Sequence, residues 1–368
     1  MARKAKEEVA TSLIPQVEKL SLDEKKSLCS YCFKKDSGLI RCSACKEACY
    51  CNKSCQKKHW DNYHRFTCQP GGTPTVEQIL ENFGLIVKDG INGRGMFSTR
   101  KIKKGERIIC EKPVLLFVRT EDQAALSPED RAKLPITLRN RYDVLPTTVR
   151  SSIDSLYSHE ENNLREKVEL NMIPLGPESK ICGVFRTIAR SNHCCTPNAN
   201  YAWNSNKGFE EVIALRDIEP DEEIFVYYFN ILVAYDVRKS SMKTWSSRCF
   251  CQTCQNPDPI NEAIRIKCKK LNEDIYEAIE DLQDYKKARE YAISRLVLLN
   301  RLDWTLDELF HTQKQILDCC LKLNDKVGAK KWREACLTSF QNSWGLDHPD
   351  ALKFQQEYDD IELLTEFR

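Results

Sequence analysis

Eight of the chain's 19 cysteines fall within residues 29–68, and no further cysteine follows until Cys110. With its histidine the stretch reads Cys29-x2-Cys32-x9-Cys42-x2-Cys45-x5-Cys51-x3-Cys55-x8-His64-x3-Cys68. Thiolates and imidazoles two or three residues apart each clamp one edge of a tetrahedral Zn²⁺, and four such pairs make two closed sites. A piece this short, with few large aliphatics, cannot fold on a core of its own. Metal binding would therefore supply most of its folding free energy. Cys49 and His59 fall off the register and read as non-ligands. Gln69-Pro70-Gly71-Gly72-Thr73-Pro74 follows as a breaker-rich linker.

The remainder of the 368 residues is long enough for one or two further domains with sizeable cores. A 30% charged fraction with balanced signs, 56 Lys+Arg against 54 Asp+Glu, rules out global disorder and gives no general case for nucleic-acid or membrane binding. The charge is uneven, however: residues 1–70 carry 14 Lys+Arg against 8 Asp+Glu, which makes the N-terminal module locally basic. Apolar runs such as Val114-Leu115-Leu116-Phe117-Val118 are far too short to span a bilayer. The charged start Met1-Ala2-Arg3-Lys4 has no apolar run behind it and does not read as a signal peptide. A reducing compartment is expected, in which cysteines serve as metal ligands or plain thiols.

From about Ile79 to Val118 the pattern is strand-like, with Ile86-Val87, Gly93-Arg94-Gly95-Met96-Phe97 and Arg107-Ile108-Ile109-Cys110 separated by glycine turns. Residues 119–170 change to helical spacing, with Leu134, Leu138 and Tyr142 on one face. Strand signals return over Ile181–Phe185, Glu211–Leu215 and Glu223–Phe229, and Asn256-Pro257-Asp258-Pro259 marks a second boundary. Everything beyond reads as helix. Leu271, Ile275, Ile279 and Leu282 form one apolar stripe, Leu306, Leu309, Ile316, Leu317 and Cys320 another, and Trp332, Ala335, Cys336 and Phe340 continue the pattern. A last helix starts at His348-Pro349-Asp350. A tetratricopeptide-like array and an irregular bundle both fit these helices.

A second constellation combines Gly93-Arg94-Gly95, Asn192-His193-Cys194-Cys195-Thr196-Pro197-Asn198, Asp221-Glu222-Glu223-Ile224-Phe225-Val226-Tyr227-Tyr228 and Cys249-x-Cys251-x2-Cys254. In this order the four elements resemble the catalytic SET domain of lysine methyltransferases. Tyr50-Cys51-Asn52-Lys53-Ser54-Cys55-Gln56-Lys57-Lys58-His59-Trp60 resembles the MYND zinc finger. Together they resemble the SET- and MYND-domain protein-lysine methyltransferase family. Specific motifs cover residues 29–68, 85–118 and 181–254, while 119–170 and 260–368 match in kind and position only. Cys194 stands where the family usually has serine, Ala189 where a serine is frequent, and the finger precedes Gly93 rather than following the Gly-x-Gly strand.

The resemblance implies an α+β chain with a MYND finger, a β-rich SET domain with a helical insert, a zinc-bound post-SET segment and an all-helical, tetratricopeptide-like C-terminal domain. Its boundaries are an N-terminal segment over 1–28, the finger over 29–68 and the SET domain over 79–243 with its insert over 119–170. The post-SET segment covers 244–257 and the helical domain 260–368. The finger's zincs would be interleaved, Cys29, Cys32, Cys51 and Cys55 on one and Cys42, Cys45, His64 and Cys68 on the other. A third zinc would take Cys249, Cys251 and Cys254 with Cys195, preferred over its neighbour Cys194. The remaining cysteines read as small hydrophobes.

For S-adenosylmethionine, glycines at 93 and 95 would let backbone lie against the cofactor. Asn92 and Arg94 would flank that loop, Asn192 and His193 would hold the amino end and adenine, and Trp245 would either stack on the adenine or pack in the core. Tyr228 aligns with the active-site tyrosine. With an ordinary pKa near 10 it is a poor base at neutral pH, so it would position the reacting groups. The function implied is methyl transfer to lysines of histone or non-histone proteins, by a monomer in cytoplasm and nucleus, with a role in chromatin regulation. A proline-containing peptide and weak DNA contact are the ligands expected of the finger, and no membrane is. The competing reading is a zinc-stapled adaptor for transcription or signalling whose SET fold is weak or silent.

Overall fold

In the computed structural model, residues 29–31, 36, 38–46, 48–65, 68, 73–90, 92–176, 179–245, 248–302, 306–345 and 348–366 are described. Two compact units share them. One comprises Met1–Val87, Ile109–Arg190 and Trp203–Glu210; the other comprises Lys88–Ile108, Ser191–Ala202 and Glu211–Arg368.

In chain order, strands β1 (Ile40–Arg41) and β2 (Cys49–Tyr50) precede helix α1 (Lys53–His59), which runs into a π-helical turn over Trp60–His64. Helix α2 (Val76–Asn82) leads to β3 (Leu85–Gly90), β4 (Gly93–Ser98), β5 (Arg107–Glu111) and β6 (Leu115–Val118). Helices α3 (Thr120–Gln123), α4 (Pro128–Asp143), α5 (Thr147–Asp154) and α6 (Leu164–Asn171) come next, then β7 (Met172–Pro174) and β8 (Ile181–Val184). A 3-10 turn at Ile188–Arg190 precedes β9 (Asn192–His193), β10 (Ala199–Asn204), β11 (Phe209–Ala214) and β12 (Phe225–Val226). The rest is helical: α7 (Tyr235–Met242), α8 (Gln252–Gln255), α9 (Pro259–Tyr276), α10 (Tyr285–Leu299), α11 (Leu306–Lys322), α12 (Lys326–Ser343) and α13 (Pro349–Glu366).

In the first unit, β1 and β2 pair antiparallel, Ile40 opposite Tyr50 and Arg41 opposite Cys49. The buried centre beside them is Cys29, Cys42, Ala48 and Tyr50, so thiols stand where a self-sufficient core has aliphatics. Elsewhere in this unit β6, β8 and β7 form an antiparallel sheet in that order. Leu134, Leu138 and Tyr142, one turn apart on α4, meet Val149 and Ile153 of α5, Val168 of α6 and Phe117 of β6 in one core. The Ser127 hydroxyl accepts the Asp130 N–H at 3.1 Å and Pro128 takes the first turn, which is why α4 begins there. The strand pattern expected from about Ile79 begins only at Leu85, and the stretch before it is helical. Thr75 and Gln78 form a capping box, Val76, Ile79 and Leu80 are buried at helical spacing, and α2 occupies the segment.

In the second unit, β9 and β12 pair parallel, Phe225 opposite Asn192 and Val226 opposite His193. The unit also holds its share of a three-stranded sheet of order β10-β11-β5. The strand expected over Glu223–Phe229 is shorter than its apolar alternation suggests. Asn198 supplies side-chain partners instead: its Nδ2 donates to the Glu223 carbonyl at 2.8 Å and its Oδ1 accepts the Phe225 N–H at 2.8 Å. Tyr228 accordingly lies in a bend beyond β12, not on a strand.

Helices α9 to α13 pack serially, each on the next in sequence, which is the arrangement of a helical array rather than of an irregular bundle. Ile275, Leu296, Phe310, Ile316, Leu317, Cys336, Phe340 and Phe354 form its core. Leu282 is not part of the expected stripe. A π-helical turn over Glu277–Asp281 rotates it out, and it is 59% exposed. The Leu306 side chain lies outside the described residues. No helix among those described is long and apolar enough to cross a membrane.

Candidate functional site

Three donor groups lie ready for metal. Cys42, Cys45, His64 and Cys68 bring their ligand atoms within 4.8 Å of one another, as do Cys195, Cys249, Cys251 and Cys254, and as do Cys29, Cys51 and Cys55. Cys32, the expected partner of the last three, lies outside the described residues. Zinc–sulfur bonds of about 2.3 Å at tetrahedral angles put donors roughly 3.8 Å apart. The observed separations suit this: Cys42 to Cys68 is 3.6 Å, Cys45 to His64 Nε2 is 3.5 Å, and Cys195 to Cys254 is 3.5 Å. Within the last group, bonds from Cys249, Cys251 and Cys254 push the Cys195 thiol far above its ordinary pKa, so the four could all ionise only around a cation. The donor chemistry therefore fits zinc.

Local structure sets these positions. Asn52 caps α1 by accepting the Cys55 N–H at 2.9 Å, which places Cys51 just before the helix and Cys55 in its first turn. Lys46, at φ 60°, closes the turn that brings Cys42 beside Cys45. Cys49 and His59 join no donor group. The His59 ring accepts the Tyr50 hydroxyl at 3.0 Å if Nδ1 is unprotonated, and it stacks on His64 with centroids 5.3 Å apart. Burial, with Lys112 and His64 nearby, pulls its pKa down to about 3, so the ring is neutral.

The second-unit motifs converge around β9 and β12. The Tyr228 hydroxyl donates to the Ser191 carbonyl at 2.8 Å. Burial, and then the Glu223 charge, raise its pKa well above the ordinary value, so it stays protonated at neutral pH. The Tyr228 backbone N–H donates to His193 Nδ1 at 3.1 Å, which puts the ring proton on Nε2, 3.4 Å from Cys195 Sγ. Burial lowers His193 to about 4, so this ring too is neutral, and it stacks on Phe229 at 4.5 Å. Trp245 is half-buried with its ring centroid 5.1 Å from that of Tyr228.

Several residues expected to line the cofactor also make contacts within the protein. Asn92 is engaged at both ends of its amide: Nδ2 donates to the His193 carbonyl at 3.1 Å and Oδ1 accepts the Phe250 N–H at 3.3 Å. It ties β9 to the segment that carries Cys249, Cys251 and Cys254. The absence of a side chain at Gly95 serves the protein itself, because a Cβ there would stand 2.0 Å from Glu223 Oε1 and 2.8 Å from Asn192 Nδ2. Gly93 alone, at φ +88° with nothing within 4 Å of its Cβ position, borders open space. Arg94 is exposed, and its carbonyl accepts from Asn192 Nδ2 at 3.3 Å. The ring of His193 is buried against protein groups on both nitrogens.

Glu223 and Asn198 lie within the quoted motifs without an expected role, and Ser191 lies just before them. Glu223 is buried and accepts from Asn192 Nδ2 at 2.7 Å; a doubled acidic pair before an apolar strand was the available signal. The Ser191 hydroxyl is buried without a hydrogen-bond partner. A cradle of this kind, with open backbone at Gly93, an orphan hydroxyl at Ser191 and an Asn192 amide whose N–H groups are spent internally, suits a small ligand bearing an ammonium and further polar groups.

The SET domain family model matches residues 93–229, and the MYND finger model matches residues 29–68. The "N-lysine methyltransferase SMYD2" of Sus scrofa is 24% identical over 362 residues, covering 89% of this chain and 77% of that protein. The same identity and coverage hold for the "N-lysine methyltransferase SMYD2" of Homo sapiens. The "N-lysine methyltransferase SMYD2-B" of Danio rerio is 24% identical over 355 residues, covering 87% and 76%.

Proposed function

We propose that the chain is a member of the SET- and MYND-domain methyltransferase family and transfers methyl groups from S-adenosylmethionine to lysine side chains of proteins. The observation that carries the catalytic assignment is the Tyr228 hydroxyl, held on the Ser191 carbonyl at 2.8 Å beside the Asn192-His193 pair. When bound, S-adenosylmethionine supplies an electrophilic methyl group on a sulfonium whose positive charge disfavours the ammonium form of a neighbouring lysine.

The chain's residues supply the rest. Both Asn192 N–H groups are spent on Arg94 and Glu223, so Oδ1 is the atom it offers to the cofactor's amino end. Gly93 gives backbone approach, Arg94 a charge for the carboxylate and Trp245 an aromatic face. His193 acts from within, fixing the Tyr228 backbone through Nδ1, and Asn92 acts through the His193 carbonyl. Tyr228, protonated and restrained at its hydroxyl, orients the reacting amine and excludes misaligned approach. It takes no proton itself.

We extend the reading to three zinc ions, with Cys32 completing the first finger site, and to the finger as a recruiting module. Exposed Ile40 and Trp60 support a proline-containing peptide ligand there, and the local basic excess supports weak DNA contact. A monomer working in cytoplasm and nucleus, on chromatin and other proteins, completes the proposal.

The test is methyl incorporation from radiolabelled S-adenosylmethionine into a panel of histone and non-histone proteins, with cofactor titration alongside. Tyr228→Phe should lower turnover about 100-fold or more while cofactor affinity stays within a few fold. Equal turnover by wild type and Tyr228→Phe would refute the catalytic assignment.

A further inference from the structure

Helix α9 opens the helical array, yet its first turns reach into the second unit's zinc group. Arg265 is 1% exposed and donates Nη1 to the Ile231 carbonyl at 2.6 Å and Nη2 to the Cys195 carbonyl at 2.9 Å. Arg238, from α7, is equally buried and donates Nη1 to the Val233 carbonyl at 2.6 Å. Glu262, one turn before Arg265, accepts from Arg238 at 2.6 and 3.0 Å and lies 3.8 Å from Arg265 Nε. One carboxylate thus serves two buried guanidiniums.

Four thiolates around Zn²⁺ carry a net charge of −2, and burying such a dianion is costly unless cations stand close by. Resting on the zinc reading of Cys195, Cys249, Cys251 and Cys254, we infer that Arg265, with Arg238 locked beside it by Glu262, supplies the countercharge of this site and fixes the backbone of Cys195. Electrostatically, a guanidinium keeps its charge at neutral pH even when buried, and both are within reach of Glu262. Geometrically, Cys195 is the ligand supplied from far away in sequence, and its own stretch, past a two-residue strand, has little regular structure to hold it. The Arg265 fork bonds this residue and Ile231 at once, so it joins the segments that follow β9 and β12. Arg265 is therefore a positioning residue for the metal site, acting on zinc through Cys195 and not touching it.

Zinc retention reads this directly, without turnover. The full-length, zinc-loaded chain is titrated with a chromophoric chelator, and the phase lost in Cys254→Ser identifies the site. Removal of an outer partner of a metal ligand usually costs about 10- to 100-fold in affinity. Arg265→Met should release zinc from this site at correspondingly lower chelator concentration, with the finger phases unmoved. Arg265→Lys, which keeps the charge and loses the fork, should fall between and serves if the methionine variant does not fold. Unchanged retention in both variants would overturn the inference, and so would a parallel shift of every zinc phase, which marks general destabilisation. If Cys254→Ser removes no phase from the wild-type profile, the zinc reading itself fails and the inference goes with it.

Discussion

Gly93 and Gly95 stand two residues apart in one motif, yet their substitution by alanine should fail for different reasons. At Gly95 a Cβ would sit 2.0 Å from Glu223 Oε1 and 2.8 Å from Asn192 Nδ2. A carboxylate at the end of a flexible chain can usually step aside. Here it has little freedom, because Glu223 is only 6% exposed. Moving it breaks the 2.7 Å bond from Asn192. A hydrogen bond to a charged group is worth about 1.5–3 kcal/mol and overpacking costs about 1–3 kcal/mol, so Gly95→Ala should destabilise by about 3 kcal/mol or more. Because Asn192 moves too, cofactor affinity should fall at least about tenfold. Gly93→Ala meets nothing and pays only for its φ of +88°, about 1–2 kcal/mol.

The discriminating measurement is a double-mutant cycle with Glu223→Asp, read by denaturant unfolding and by calorimetric titration with S-adenosylmethionine. Shortening the side chain by one methylene withdraws the carboxylate by roughly 1.5 Å, which turns the clash into ordinary contact. Gly95→Ala should then cost at least about 1 kcal/mol less in the Asp background than in the Glu background. Additive effects, or a Gly95→Ala variant as stable as wild type, would show that Glu223 is not the group that excludes a side chain.

Metal analysis of the purified chain should find three zinc equivalents, and Cys51→Ser should lose only finger zinc while Cys251→Ser also weakens S-adenosylmethionine binding, because His193 Nε2 lies 3.4 Å from Cys195 Sγ. Buried His59 is neutral in the fold with a pKa of about 3 and would bind a proton near 6.5 when unfolded, so its contribution is present above about pH 6.5 and lost as pH falls toward 3. The acid limb of finger unfolding should therefore be shallower in His59→Asn than in wild type, by an amount on the order of a few kcal/mol at most. Leu138→Ala, in the core shared by α4, α5 and α6, should cost about 2–5 kcal/mol in thermal unfolding.

Spacing made the finger and the helices legible. Four ligand pairs at two- or three-residue spacing mark metal sites whatever lies between them, and the positions of Leu134, Leu138 and Tyr142 repeat once per turn whatever packs on them. Chemistry that acts through side chains onto backbone was not legible. Nothing in the apolar alternation of Ile224, Val226 and Tyr228 announces that Asn198 takes over the hydrogen bonds of Phe225 and Glu223 and cuts the strand to two residues. A further demand on Gly95 was not legible either, because the group its missing Cβ makes room for is Glu223, from more than a hundred residues away. Leu282 was misread because one π-helical turn shifts the phase of everything after it.

These misreadings share a cause that bears on how the site works. The segments holding Asn192, His193 and Tyr228 are too polar and too short to be fixed by apolar burial, so polar side chains clamp them. Asn92 holds the His193 carbonyl, Asn198 the approach to β12, and Arg265 the carbonyl of Cys195. Each clamp satisfies a backbone group that would otherwise be buried unpaired, at a cost of about 1–3 kcal/mol. The clamps leave few ways for the site to relax when one is cut. Against that background the orphan hydroxyl of Ser191, beside these clamps, is the exception expected at a place kept for a ligand. It adjoins the carbonyl that restrains Tyr228, so Ser191→Ala should leave the fold intact and weaken cofactor or substrate binding. If stability instead rises and both affinities hold, the hydroxyl is merely a buried defect.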